Sequence, residues 1–243
     1  MKERLVIIPT YNEIENISLI IEKVFSLVIP FDILIVDDGS PDGTAQAVRD
    51  LQSRFPERLY LEERTGKLGL GTAYLLGFKR ALEWGYTYAF EMDADFSHNP
   101  EDLIQLYHAC ADEGYDMSIG SRYVKGVNVV NWPMSRILLS YGASWYVRFI
   151  TGMPIADPTA GFKCYHRKVL ETIDLSKIRF VGYAFQIEMK FKAWLFGFRI
   201  KEVPIIFTER TRGSSKMSTR IIHEAFWGVL QLKINSLFQR FQR

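Results

Sequence analysis

The sequence predicts an α/β domain with a mainly parallel central sheet and helices on both faces. Short β-branched apolar runs alternate with stretches of helical period, and the runs are apolar almost throughout, as in strands buried on both faces. The unusual polar residues also gather at the carboxyl ends of the runs, where open α/β sheets bind ligands.

"RLVIIPT" (4–10) is the first strand, and a helix is expected from about Glu13 to Leu27, with Ile17, Ile20, Ile21 and Val24 on one face. "FDILIVDDGS" (31–40) is the second strand, followed by a helix over "DGTAQAVRDLQSRF". "RLYLEE" (58–63) is the third, leading through a glycine-bearing loop into a helix over 72–85. "YTYAFEMDAD" is the fourth, and "PEDLIQLYHACADEG" is a helix opened by Pro100 and acidic residues. "YDMSIGSRY" is the fifth. Segments 131–153 and 218–243 read as aromatic-rich helices with basic residues at polar positions: Arg136 and Arg148 in the first, Arg220, Lys233, Arg240 and Arg243 in the second. Such helices can lie in a membrane interface or pack on the core. The expected organisation is one domain over 1–217 plus a C-terminal amphipathic helix over 218–243.

The 243 residues are 48% hydrophobic and 24% charged, which supplies a sizeable core and argues against global disorder. A formal net charge of +2 argues against a nucleic-acid partner. Cys110 and Cys164 stand far apart with no CxxC and are expected as buried free thiols. The histidines His98, His108, His166 and His223 show no metal-ligand spacing and are expected to be structural or exposed. The opening "MKERLVIIPTYNE" has an apolar run of only five residues, too short for a signal-peptide core, and no run approaches a membrane span. The chain therefore reads as cytoplasmic, with a membrane surface as a possible partner.

Several motifs carry chemistry, each with a plainer alternative. Asp93 and Asp95, at i and i+2 on a strand, would point the same way and repel unless neutralised. They are either a solvated acidic turn with a helix cap at Ser97 or Asn99, or the carboxylates that hold Mg²⁺ or Mn²⁺ on a substrate diphosphate. "VDDGSPDGT" (36–44) is either a turn that caps the next helix or an acceptor for a base N–H or a ribose hydroxyl. "GKLGLGTA" (66–73) has the spacing GxxGxG and follows the third strand, which disfavours a dinucleotide fingerprint. A helix start that lets backbone come close to a neighbour is the better reading. "ERTRGSSKM" (209–217) is either a solvated loop or a cationic lid over a leaving diphosphate.

In order, "PTYNE" (9–13), "DDGSPDGT" (37–44), "GKLGLGTAY" (66–74), "MDADFSHNPE" (92–101), "GSRY" (120–123), "DPTAGFK" (157–163) and "RTRGSSK" (210–216) resemble the polyprenyl-phosphate glycosyltransferases of the GT-A type, in glycosyltransferase family 2. The chain is most similar to the dolichyl-phosphate mannosyltransferase group. The resemblance runs from about residue 4 to 220 and implies the GT-A nucleotide-diphospho-sugar transferase fold. It implies an inverting transfer of mannose from GDP-mannose to a polyprenyl phosphate. By that resemblance, Pro9, Tyr11, Glu13, Val36 and Asp38 contact the nucleotide. Asp93, Ala94, Asp95 and Ser97 contact metal and diphosphate, with Ser97 standing where some members carry Gln. Arg122 and Arg136 match residues near the acceptor phosphate, and Arg210 and Lys216 match lid residues on the donor. The implied setting is the cytoplasmic face of a membrane, with a small membrane-anchoring subunit in some relatives. Competing readings are a UDP-glucose-dependent enzyme of the same fold, a hydroxyl-acceptor enzyme with Asp157 or Glu188 as base, and a non-catalytic nucleotide-sugar-binding or scaffold subunit.

Overall fold

The structure, a computed structural model, describes residues 2–209 and 219–238. Its strands are β1 (Arg4–Thr10), β2 (Asp32–Asp37), β3 (Leu59–Glu63), β4 (Tyr88–Glu91), β5 (Met117–Ser121), β6 (Val129–Val130), β7 (Lys163–His166), β8 (Ile200–Pro204) and β9 (Phe207–Thr208). Its helices are α1 (Ile17–Phe25), α2 (Thr44–Gln52), α3 (Leu70–Glu83), α4 (Asp102–Ala111), α5 (Met134–Thr151), α6 (Arg167–Thr172), α7 (Tyr183–Leu195) and α8 (Thr219–Leu237). Seven strands form one sheet in the order β3-β2-β1-β4-β7-β5-β8, and β6 pairs with β9 in a separate ribbon. All pairs in the main sheet are parallel except those of β7, which runs antiparallel to both β4 and β5.

Alternation along β1 explains the layering. Leu5 and Ile7 face one cluster with α3, α6 and α7, whereas Val6 and Ile8 face another with α1, α2 and α4. Both faces are thus covered, which is why the strands read as continuous apolar runs. The expected helix from Glu13 begins later, at Ile17: Asn12 is left-handed at φ 57°, and residues 13–16 form a turn in which the Asn16 and Ile17 amides donate to Glu13 O. The glycine-bearing loop serves close approach. Gly69 sits at φ +101°, and a Cβ on Gly71 would lie 2.8–2.9 Å from Phe185 and the Phe180 carbonyl, so α3 starts hard against α7.

The fourth strand is shorter than expected. It ends at Glu91, and residues 92–101 are loop with Phe96 left-handed at φ 59°. Asp93 and Asp95 are therefore not on one strand face. Antiparallel β7 has a useful consequence: it starts opposite the last residue of β4, with Lys163 paired to Glu91. The 157–162 loop before it consequently lies at the same sheet edge as the carboxyl ends of the parallel strands. Cys110 and Cys164 are buried free thiols, as expected.

Candidate active site

The carboxyl ends of β1 and β2 are laced together. Asp37 accepts from the Thr10 hydroxyl (2.8 Å) and from the Ser40 amide (2.8 Å) and hydroxyl (2.6 Å), so its carboxylate holds the turn. The Asn12 amide donates to Ser40 Oγ at 2.9 Å and the Glu13 amide to Thr44 Oγ1 at 3.0 Å. Asp42 caps α2 through Thr44. Burial works against its charge, but the Thr44 and Ile14 hydrogen bonds win and lower its pKa. Pro9 and Tyr11 are half-buried, and Lys67 stands 5.0 Å from the Tyr11 ring centre. The side chains of Val36 and Ala94 pack in the core instead of facing the edge, so the contacts expected of them are not offered by their side chains.

Asp38 is buried, and its carboxylate takes Arg64 Nε at 2.6 Å. Arg64 also donates to Thr72 Oγ1 (2.6 Å) and the Gly69 carbonyl (3.3 Å), which ties Asp38 to the start of α3. Sequence reasoning missed Arg64. The available signal was its place just past β3, at the same edge as the acids already noted.

In the 92–101 loop the two aspartates have different surroundings. Asp93 keeps 39% of its side chain exposed and accepts from the Tyr74 hydroxyl at 3.4 Å. Asp95 is buried and accepts the Ser97 amide at 3.1 Å. Burial, with Asp93, Glu91 and Asp95 nearby, holds the Tyr74 hydroxyl well above its usual pKa, so it stays a donor. His98 is buried too. Its Nδ1 accepts the Asp93 amide at 3.3 Å, and its ring stacks on Phe162 with centres 4.8 Å apart. Burial pushes this imidazole down to about 4, so it is neutral at pH 7.

A cavity of about 540 Å³ joins this loop to the far side of the sheet edge. Asp93, Ser97, His98, Arg122, Trp132 and Arg136 line its polar end; Leu138, Leu139, Tyr146 and Val147 of α5 and Phe226 and Val229 of α8 line its apolar end. Among the described residues, Ser97 Oγ and Trp132 Nε1 are buried without a hydrogen-bond partner. Two hydrogen-bonding atoms left so beside a cavity are what a ligand there would satisfy.

Arg122 is gripped by Asp157, with Nε and one terminal nitrogen each 2.7 Å from a carboxylate oxygen, and by Thr159 Oγ1 at 2.8 Å. Burial would raise the Asp157 pKa, but the Arg122 charge and hydrogen bonds outweigh it and hold it low. Arg136 pairs with Glu209 and lies 4.1 Å from the Trp132 ring centre. The acceptor-base alternatives fail on geometry. Asp157 is committed to Arg122, while Glu188 accepts the Arg179 and Phe180 amides, pairs with Lys192 and is 1% exposed. The Arg210 and Lys216 assignments lie outside the described residues.

No group of three or more His, Cys, Asp or Glu side chains that could hold a metal occurs among the described residues. The oxygens of Asp93, Asp95 and Ser97 are nevertheless the hard donors a small divalent cation takes, and Ser97 Oγ is otherwise unpartnered. Two carboxylates and a hydroxyl suit an ion whose remaining ligands come from a substrate.

The seven-stranded order with one antiparallel strand, and an acidic edge fit for a metal-held diphosphate, place the chain in the class that the family comparison then fixes. The family model for glycosyl transferase family 2 matches residues 5–174, and the chain belongs to that family. It is 50% identical over 236 residues to polyprenol monophosphomannose synthase of Mycolicibacterium smegmatis, covering 97% of this chain and 89% of the relative. It is 45% identical over 230 residues to undecaprenyl-phosphate mannosyltransferase of Micrococcus luteus, covering 93% of each. Glucosyl-3-phosphoglycerate synthase from Mycobacterium tuberculosis, in complex with Mn²⁺, uridine diphosphate and glucosyl-3-phosphoglycerate, shares the fold. Its TM-score is 0.69 at 15% identity, over 95% of this chain and 80% of that one.

Proposed function

We propose that this protein transfers mannose from GDP-mannose to the phosphate of a polyprenyl lipid, with inversion at the anomeric carbon. The observation that carries the reading is the two-ended cavity: arginines at one end and an apolar wall between α5 and α8 at the other suit a phosphate on a hydrocarbon chain. The two mannosyltransferase relatives support the sugar and the acceptor class. A phosphate monoester has a second pKa of about 6 and is largely dianionic at neutral pH, so it needs no general base. That fits a site in which the two candidate bases are otherwise committed.

In this reading Arg122 and Arg136 bring the acceptor oxygen toward the anomeric carbon, and the carboxylates of Asp93 and Asp95 with Ser97 hold Mg²⁺ or Mn²⁺ at the donor. The chemistry that ion supplies is charge neutralisation on the departing diphosphate. Asp38, fixed by Arg64, accepts from the nucleoside, and Pro9, Tyr11 and Glu13 frame it. By the family resemblance, Arg210 and Lys216 would supply positive charge to the departing diphosphate. The acceptor oxygen forms the new bond as the bond to the diphosphate breaks, and GDP leaves.

No helix among the described residues is long and apolar enough to cross a membrane. The exposed apolar side chains of α5 and α8 instead suit a peripheral position on the cytoplasmic leaflet, alone or with an anchoring subunit. The test is transfer by purified protein from radiolabelled GDP-mannose to a short polyprenyl phosphate in detergent, with Mg²⁺ or Mn²⁺ and with UDP-glucose in parallel. Metal-dependent label in the lipid phase from GDP-mannose is expected. Label from UDP-glucose alone would replace the donor, and no label from either would overturn the reading.

A further inference from the structure

α7 carries a lysine where an apolar residue would be expected. Lys190 is 0% exposed, and burying a lysine amine is costly unless each of its protons finds an acceptor. Here each does: Nζ donates to the carbonyls of Pro158 (2.9 Å), Ala160 (2.6 Å) and Gln186 (3.2 Å). All three partners are carbonyls, so Nζ acts here only as a donor, and burial, with Lys163 nearby, pushes its pKa well below the ordinary lysine value. Two of them belong to the loop that precedes β7. That loop is held from its other side by Glu202 of β8, whose carboxylate accepts the Ala156 amide at 2.7 Å and the Asp157 amide at 2.9 Å. Glu202 thus holds Asp157 by its amide and Lys190 holds the carbonyls on either side of Thr159, and these are the two residues that orient Arg122. Lys190 does not line the cavity, whereas Thr159, Ala160, Gly161 and Arg122 do.

We propose that Lys190 is a positioning residue for the acceptor phosphate: its Nζ pins the 157–160 backbone so that Asp157 and Thr159 present Arg122 to the cavity. The inference rests on the reading of this cavity as the acceptor site. Lys190 touches neither substrate, so its loss should fall on one substrate only. The residues read as meeting the donor nucleoside belong to the ends of β1 and β2, and this loop reaches the β4 end only through its far side, where Phe162 stacks on His98.

The experiment compares wild type and Lys190→Met for both substrates in the transfer assay. It adds calorimetric titration of a short prenyl phosphate monoester into each protein without donor, and folding is followed by thermal melting. The expected result is an acceptor KM raised about tenfold or more, with donor KM held within about twofold and monoester affinity falling in parallel. A fall in melting temperature alone, or equal rises in both KM values, would mean a merely structural lysine and overturn the proposal. Should Lys190→Met not fold, Glu202→Gln loosens the same loop from its other side and decides by the same readouts. If wild type transfers nothing to polyprenyl phosphate, the functional reading fails by itself. Monoester binding then still judges Lys190, and unchanged affinity in the variant, or none in wild type, overturns it.

Discussion

Each residue at the sheet edge answers to an energetic demand before it answers to chemistry. Asp95 caps the Ser97 amide, a contact worth about 1 kcal/mol. Asp95→Ala should lower the melting temperature slightly and abolish transfer; a folded variant with normal turnover would remove this aspartate from the mechanism. The Arg122–Asp157 pair makes the larger demand, because removing one member strands the other in the interior. Asp157→Asn should cost about 3 kcal/mol in urea denaturation at pH 7. The pH dependence follows from the direction of its shift. A carboxyl held below its unfolded value of about 3.9 contributes stability that is fully present above that pH and lost as the pH falls through the lower folded pKa. The gap between wild type and Asp157→Asn should therefore be flat from pH 5 to 8 and narrow below about 4, and a gap that widened there would contradict the ion pair.

At the scale of elements, α5 buries only Ser144, Val147 and Thr151 and leaves Trp145 at 61% and Phe149 at 71% exposure. α8 adds exposed Trp227, Ile234 and Leu237. If this face meets lipid, Trp145→Ala or Phe149→Ala should each weaken flotation with anionic vesicles by about tenfold, or ~1.4 kcal/mol, without changing the melting temperature. Unchanged flotation would leave the face to a protein partner. The sequence left open whether these helices face lipid or core because the same aromatic and basic pattern suits both. The first five strands and four helices were legible because β-branched runs and helical periods alternate cleanly there. β7 was not, since Lys163 sits in the middle of the sheet as the partner of Glu91 and makes a core strand look polar. α7 was obscured in the same way, with Gln186, Glu188 and Lys190 all buried. The acidic pair was legible as a motif but not as a geometry: the strand ends before it, and a left-handed Phe96 turns the chain between Asp95 and Ser97.

Across the whole molecule, strand order separates two charge poles along one edge. β4, which leads into Asp93 and Asp95, stands two strands from β5, which leads into Arg122, a separation of about 10 Å. β7 between them runs antiparallel and brings the Asp157 loop to the gap. One cavity thus has an acidic wall, which in the proposed reading would need a cation before it took a diphosphate, and a basic wall whose charge suits a phosphate directly. The two requirements should separate in solution. Chelation with EDTA should abolish calorimetric binding of GDP-mannose while leaving the affinity for a short prenyl phosphate monoester within about twofold. Arg136→Ala should do the reverse, weakening the monoester about tenfold, the order expected for one charge-assisted contact, and sparing the donor. Arg136 suits this test because its side chain is 27% exposed and its loss strands no fully buried partner. Parallel loss of both ligands under chelation would mean that one cation serves both phosphates and that the poles are a single site.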